Sequence, residues 1–247
     1  MHPLFKEYYT KNIDAIATWQ PDVPVYSENA AIIIENRNVE NFGLIVKEHM
    51  RFLEGKFMLV VFCGKQNEQY ITSQLKGIEH TLFPIPFEVP QHEFLRNYNE
   101  WLGSYPFWNK LNDFGLSKVL MFQTDSLILR KGVDEFLKFC YCGALWPFVP
   151  YLGNGGFSMR SVEKMRKITH LFDYIKESEG HGGVGSRMNE DSFFCNHITS
   201  PEIKCILPTR DEAMKFSVET LYGEGSFGCH AISEWLDEKS VRKILGV

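Results

Sequence analysis

The sequence predicts an α/β fold built on a central, mostly parallel sheet flanked by helices. Three apolar runs, Ala30–Ile34, Phe57–Phe62 and Val119–Phe122, each stop abruptly at a short polar cluster. None alternates with polar residues, which is the mark of a strand covered on both faces. Between the first two runs, residues 39–54 place Phe42, Ile45, Val46, Met50 and Leu53 at helical spacing. Strand, helix and strand in that order form the βαβ unit of a parallel sheet.

The remaining elements follow in chain order. Residues 66–76 read as a helix, 81–85 as a short extended piece, and 93–112 as two short helices parted near Ser104–Pro106. The third apolar run then ends at Gln123-Thr124-Asp125-Ser126. Leu152-Gly-Asn-Gly-Gly-Phe-Ser-Met-Arg160 packs three glycines into a strand-like segment. Such glycines mark either the close approach of a backbone or ligand, or a hairpin turn. Ser161 is placed to cap a helix whose inner face carries Val162, Met165, Ile168, Phe172 and Ile175. Residues 179–186 hold four glycines and read as a lid-like loop leading to Asn189-Glu190-Asp191 at a helix start. A strand over 204–207 and a glycine-rich turn, which puts His230 outside the core, complete the chain.

Size and composition narrow the function. At 247 residues, 44% hydrophobic and 23% charged, the chain can fold as a single globular unit over 1–247. A net charge of −5 argues against nucleic acid, whose binding draws on clustered Lys and Arg. No apolar stretch is long enough for a transmembrane segment. The first residues show no basic region followed by an apolar core, so no secretory signal is expected. The six cysteines have no Cys-x-x-Cys spacing and sit mostly in apolar runs, Cys140 and Cys142 pointing the same way along a strand. A reducing, cytoplasmic location is therefore expected.

Ligands of open α/β sheets bind beyond the carboxyl ends of the strands. Arg37 and Asp125 should share that crevice, one as a fixed cation and the other as an oxygen ligand for a divalent metal. Plainer roles exist for both: Asp125 in a Thr-Asp-Ser turn, Arg37 paired with Glu35 or Glu40 at the surface. Glu190 and Asp191 can complement a helix dipole, or one of them can present a base to a hydroxyl. At a helix start their side chains should diverge by about 100°, so that only one faces the cleft. A lone His230 gains significance as a metal ligand only beside a partner such as Asp125. The dinucleotide fingerprint and the Walker lysine are both missing.

Taken together, Phe122-Gln-Thr-Asp-Ser126, Gly153-Asn-Gly-Gly-Phe-Ser158, Asn189-Glu-Asp191 with Phe193-Phe194, and Gly228 to His230 resemble a small glycosyltransferase-like family of bacteria and large DNA viruses. Ile34-Glu-Asn-Arg37 and Phe62-Cys-Gly64 fit the same family. The resemblance implies a GT-A fold, with a nucleotide-sugar-binding half over about 30–126 and an acceptor half over about 140–235. It implies a UDP- or GDP-sugar donor, a glycan or other hydroxyl acceptor, and Mn²⁺ or Mg²⁺ held by Asp125 and His230. For a viral member the location would be the host cytoplasm. Donor-binding roles fall to Glu35, Arg37, Gln123, Thr124, Asp125, Asn154, Gly155 and Gly156. Asp191, with Glu190 beside it, is implied as the base of an inverting transfer. Gln123 departs from the usual Asp-x-Asp, which touches ribose contacts more than the metal.

Aromatic residues around Trp101–Tyr151 should mostly build core, with Trp146 or Tyr151 the ones expected to meet a sugar. Two rival readings use the same parts: a metal-dependent nucleotidyltransferase or phosphohydrolase, for which the chain offers only Asp125 near that strand end, with Asp113 upstream, and a non-catalytic nucleotide-sugar-binding module. A nicotinamide-dependent dehydrogenase is the weakest rival, given the missing fingerprint.

Overall fold

The computed structural model describes residues 1–147, 153–179 and 188–247. The chain opens with α1 (Pro3–Thr18) and continues through β1 (Asn29–Glu35), α2 (Phe42–Phe52), β2 (Met58–Cys63), α3 (Glu68–Gln74) and β3 (Thr81–Pro84). Next come α4 (Gln91–Leu102), α5 (Tyr105–Asp113), β4 (Lys118–Phe122), β5 (Ser126–Ile128), a 3-10 turn (Val133–Phe136) and β6 (Tyr141–Leu145). The second half holds β7 (Gly153–Ser161), α6 (Val162–Leu171), α7 (Tyr174–Ser178), α8 (Glu190–His197) and α9 (Arg210–Phe216). It closes with β8 (Ser217–Val218), β9 (Gly228–His230), α10 (Ile232–Trp235) and α11 (Glu238–Leu245).

The main sheet has the order β3-β2-β1-β4-β7-β6. Its first four strands are parallel, and β7 runs antiparallel to both β4 and β6. Continuous apolar strands are required because each strand feeds two cores. Ala30, Ile32, Val60, Phe62, Val119 and Met121 enter one core, with Trp108, Met165 and Phe193 from α5, α6 and α8. Ala31, Ile33, Leu59, Val61, Leu120 and Phe122 enter the other, with Phe42, Val46 and Ile71 from α2 and α3. A polar residue at any of these places would be buried without a partner, at a cost of roughly 1–3 kcal/mol. A second, small sheet of order β5-β9-β8 joins α1 and α11 around a third core.

Several local expectations are corrected. Residues 204–207 form no strand: Lys204 adopts a left-handed φ of 48°, which breaks the extended path. Cys140 and Cys142 face different cores, because Cys140 lies just before β6. Ile175 is 38% exposed on α7 rather than on an inner face, and Ser161 precedes α6 without a side-chain capping bond. The glycine segment is strand and not hairpin turn, since β7 is paired on both sides. All six cysteines are free thiols. Tyr151 and the lid-like loop over 180–186 lie outside the described residues; Trp146 is half-buried.

Candidate functional site

The chain reverses direction across the sheet between β1 and β4, and a switch point of this kind opens a crevice at the carboxyl edge. The crevice here is about 290 Å³, with Ile34, Glu35 and Arg37 from the end of β1 and Gln123, Thr124 and Asp125 from the end of β4. Helix α4 contributes Gln91, Phe94, Leu95 and Tyr98 as the opposite wall. Arg37 and Asp125 therefore share one cleft.

Arg37 does two things at once. Its Nε and Nη2 donate to the two oxygens of buried Glu35, each at 2.8 Å. The Arg37 side chain nonetheless stays 55% exposed, and its charge reaches Asp125. Asn67 braces this loop from beneath by donating to the carbonyls of Glu35 (2.9 Å) and Arg37 (3.0 Å). Sequence reasoning did not single out Asn67; its only signal was a place in the polar cluster after β2.

The small sheet brings His230 to Asp125. Ser126 of β5 pairs with His230 of β9, and the Ala231 amide donates to the Asp125 carbonyl at 3.1 Å. His230 Nε2 then lies 3.4 Å from Asp125 Oδ1 and 3.0 Å from Gln123 Oε1. On its far side Nδ1 is 3.0 Å from Oε1 of buried Glu219, a residue that no motif in the chain marks out. His230 is 6% exposed and part of β9, which corrects its expected place outside the core. Burial alone would depress its pKa, but hydrogen bonds and charge from Asp125 and Glu219 outweigh that and lift it to about 9. Asp125 is held below the usual carboxylate range: partial burial opposes this, while His230 and then Arg37 favour the charge.

Behind the same loop sits a second histidine that the sequence reading passed over. His49 is fully buried, donates from Nδ1 to the Ile45 carbonyl at 2.8 Å and stacks on Phe122 at 4.4 Å. Its Nε2 lies 3.1 Å from Ser126 Oγ, and that hydroxyl donates to the Gln123 carbonyl at 2.7 Å. Burial pushes His49 down to about 4, so it is a neutral prop for the Gln123-Thr124-Asp125 turn.

The glycine strand separates two groups of charged side chains. A Cβ on Gly156 would stand 2.3 Å from His230 Nε2; one on Gly155 would stand 2.4 Å from Arg160 Nη2 and 2.6 Å from Glu190 Oε1. Arg160 and Glu190 form a buried fork-to-fork pair at 2.6 and 2.9 Å. Arg160 also donates to the Gly155 carbonyl at 3.2 Å. The Gly155 amide donates to Asp191 Oδ2 at 3.0 Å, and the Gly156 amide to Asn154 Oδ1 at 2.6 Å. Both amides are thus engaged within the chain, and Asn154, Gly155 and Gly156 do not border the 290 Å³ crevice.

Glu190 and Asp191 both pack against the glycine strand, with different partners, and neither borders the crevice. Glu190 Oε1 and Asp191 Cβ both come within 3.0 Å of the Cβ position at Gly155. Burial first, and then the charge of Glu190, raise Asp191 to about 6, against the pull of the Gly155 amide and Arg160. Tyr98 links this cluster to the crevice: it lines the crevice wall, and burial followed by Glu190 raises its pKa, with Gln123 and Asp191 also acting on it.

Among the described residues, no group of three or more His, Cys, Asp or Glu side chains is arranged to hold a metal by itself. Asp125 and His230 would supply two donors, a set that fits a cation completing its shell with phosphate oxygens and water. Asp125 and Glu219 both favour positive charge at the imidazole, and a cation bound at Nε2 would displace the proton held there. Glu219 Oε2 is also buried without a partner. Asp113 lies before the opposite end of β4 and offers nothing to a second metal beside Asp125.

The sequence model of a family described as "Protein of unknown function (DUF5672)" matches residues 85–230, more than half of the chain. The chain belongs to the DUF5672 family. In this DUF5672 protein the match takes in Asp125, the glycine strand and the Glu190-Asp191 pair, and ends at His230; Glu35 and Arg37 precede it. No curated protein matches the chain in sequence. Among solved structures it is similar to the apo form of the glycosyltransferase GlyE from Streptococcus pneumoniae TIGR4, with a TM-score of 0.51 and 10% identity. The likeness covers 86% of this chain but 55% of GlyE, so the chain spans little more than half of that enzyme. At this identity the likeness is one of fold: the mixed α/β, glycosyltransferase-like architecture expected from the sequence. No helix among the described residues is long and apolar enough to cross a membrane.

Proposed function

We propose that this DUF5672 protein is a glycosyltransferase that moves a sugar from a nucleotide-sugar donor to a hydroxyl acceptor. The observation that carries this reading is that Asp125, which lines the switch-point crevice together with Arg37, meets buried His230 at 3.4 Å, with Glu219 behind the ring. Asp125 and His230 would hold Mn²⁺ or Mg²⁺, which when bound neutralises charge on a diphosphate leaving group. Arg37 adds a fixed cation to the same diphosphate. A neighbouring crevice of about 400 Å³, lined by Asn36, Gln66 and Phe87, shares Phe94 with the first and offers room for the rest of a UDP or GDP donor.

Asp191 is the base in this reading. It takes the proton from the acceptor hydroxyl as that oxygen bonds to the anomeric carbon and the bond from carbon to phosphate oxygen breaks. A single displacement of this kind inverts the anomeric centre. A carboxylate with four acceptor positions keeps room for the hydroxyl beside the amides of Gly155 and Ser192. An elevated pKa suits the task, since proton transfer is most effective near the working pH.

A panel of UDP- and GDP-sugars, read by thermal shift with and without Mn²⁺, tests donor binding. A native-state ligand raises apparent stability by about 2.7 kcal/mol at a hundredfold excess over its Kd. Release of nucleoside diphosphate with sugar transfer or sugar hydrolysis supports the reading. Release of inorganic phosphate would move the protein to the phosphohydrolases, and binding with no turnover would make it a binding module.

A further inference from the structure

Two cysteines outside the crevice form a site of their own. Cys140 stands at the root of β6, and Cys205 lies in the connection between α8 and α9. The Cys140 amide donates to the Ile206 carbonyl at 2.9 Å, so the two segments run side by side. Both residues pack against the same core, and each thiol is close enough to act on the other's charge. Cys140 is buried and Cys205 is partly exposed, while adjacent Ile206 is 62% exposed, which sets the pair one residue beneath the surface.

The surroundings favour a thiolate at one of the two. Lys118 reaches the Phe139 carbonyl at 2.6 Å, one residue before Cys140, and Lys164 also acts on both sulfurs. The hydrogen bond from Cys205 outweighs burial and, with the lysines, brings Cys140 down to about 6. The other five cysteines are all shifted upward, chiefly by burial, or for Cys205 by its bond to Cys140. A nucleophilic thiol beside a second thiol is the arrangement in which oxidation ends in a disulfide.

We propose that Cys140 and Cys205 are a reversible oxidation site that closes to an intramolecular disulfide on reaction with a peroxide. The Cys140 thiolate attacks one peroxide oxygen, the O–O bond breaks, and the departing hydroxide takes a proton to become water. Cys205 then attacks the resulting sulfenic acid, the S–S bond forms, and the displaced hydroxide leaves as a second water with the Cys205 proton. Two thiols are oxidised and one peroxide is reduced. The ring closed by this bond spans β6 to α8, and so takes in Gly155, Gly156, Glu190 and Asp191. A cross-link of that span restricts the unfolded chain more than the folded one.

The test uses the full chain, fully reduced and then exposed to stoichiometric hydrogen peroxide. Non-reducing peptide mapping should show the Cys140 and Cys205 peptides joined, with two thiols lost per chain, a raised Tm, and full reversal by dithiothreitol. Cys205→Ser should leave Cys140 as a sulfenic acid trapped by dimedone, and Cys140→Ser should abolish the cross-link. Because the first measurement is on the unaltered chain, it does not depend on the variants folding. A different cysteine pair joined, or thiols consumed with no joined peptide, would overturn the proposal.

Discussion

Glu219 Oε1 lies 3.0 Å from His230 Nδ1, and both side chains are buried. With Nδ1–H donated to Glu219, the ring turns Nε2 toward Asp125, where a bound metal would take the place of the Nε2 proton. That is the carboxylate–histidine arrangement that fixes ring orientation and raises the basicity of a metal-ligating imidazole. Glu219→Gln is therefore expected to weaken Mn²⁺-dependent binding of a nucleoside diphosphate by about 10- to 100-fold, the usual effect of losing such a partner. Calorimetry with Mn²⁺ and UDP or GDP measures it. Unchanged affinity would leave His230 as a packed residue held by an ion pair.

Asp125 and Arg37 should separate into two behaviours. Asp125→Asn removes a negative oxygen ligand, so the metal-dependent part of the affinity should disappear while the metal-free part remains. Arg37→Ala removes a cation that acts on phosphate directly, and should weaken binding with and without metal. The loss should be roughly tenfold or more, as for other hydrogen bonds to charged groups. Titrations in Mn²⁺ and in a chelator distinguish the pair. Identical patterns for both variants would mean that the two residues do not divide the work in this way.

Asp191 gives a pH dependence of opposite sign for activity and stability. Turnover needs the carboxylate, so kcat/KM should rise with pH through about 6. Between 3.8 and about 6 the folded chain keeps a proton that the unfolded chain has lost, so this group's contribution to stability falls as pH rises across that window. Asp191→Asn should cut turnover by about a hundredfold or more while retaining donor affinity, and should be at least as stable as the parent above pH ~6. Glu190→Gln should reduce turnover less but destabilise more, because it leaves Arg160 buried without its charge partner. Near-parental turnover in Asp191→Asn would remove Asp191 from the mechanism.

Much of the main sheet was legible because each strand serves two cores, which forces unbroken apolar runs such as Met58–Cys63. The strands β5, β8 and β9 were not, since two or three residues carry no periodicity. Yet the pairing of Ser126 with His230 is what brings His230 to Asp125, and it moved His230 from an expected turn into buried sheet. Glu219, His49 and Asn67 stayed hidden for a related reason: each is a single polar residue whose partner is distant in sequence. The longer Glu190 reaches Arg160 while the short Asp191 meets the Gly155 amide, so both close on one strand.

The two adjacent glycines should respond differently to the same added methyl group. Neither has a left-handed φ, so alanine costs contact rather than backbone strain. In Gly156→Ala the new Cβ would lie 2.3–2.8 Å from three atoms of the His230 ring. The ring must move away from Asp125, so metal-dependent nucleotide affinity should collapse with a modest loss of Tm. In Gly155→Ala the methyl group meets Arg160 and Glu190, a buried pair with no space to yield. Disrupting such a pair costs about 3–5 kcal/mol, so the larger fall in Tm belongs to this variant. Thermal melts and Mn²⁺ titrations on both proteins decide the matter. If Gly156→Ala binds nucleotide and metal like the parent, the His230 ring is free to move without consequence, and its position beside Asp125 is not what holds the cation.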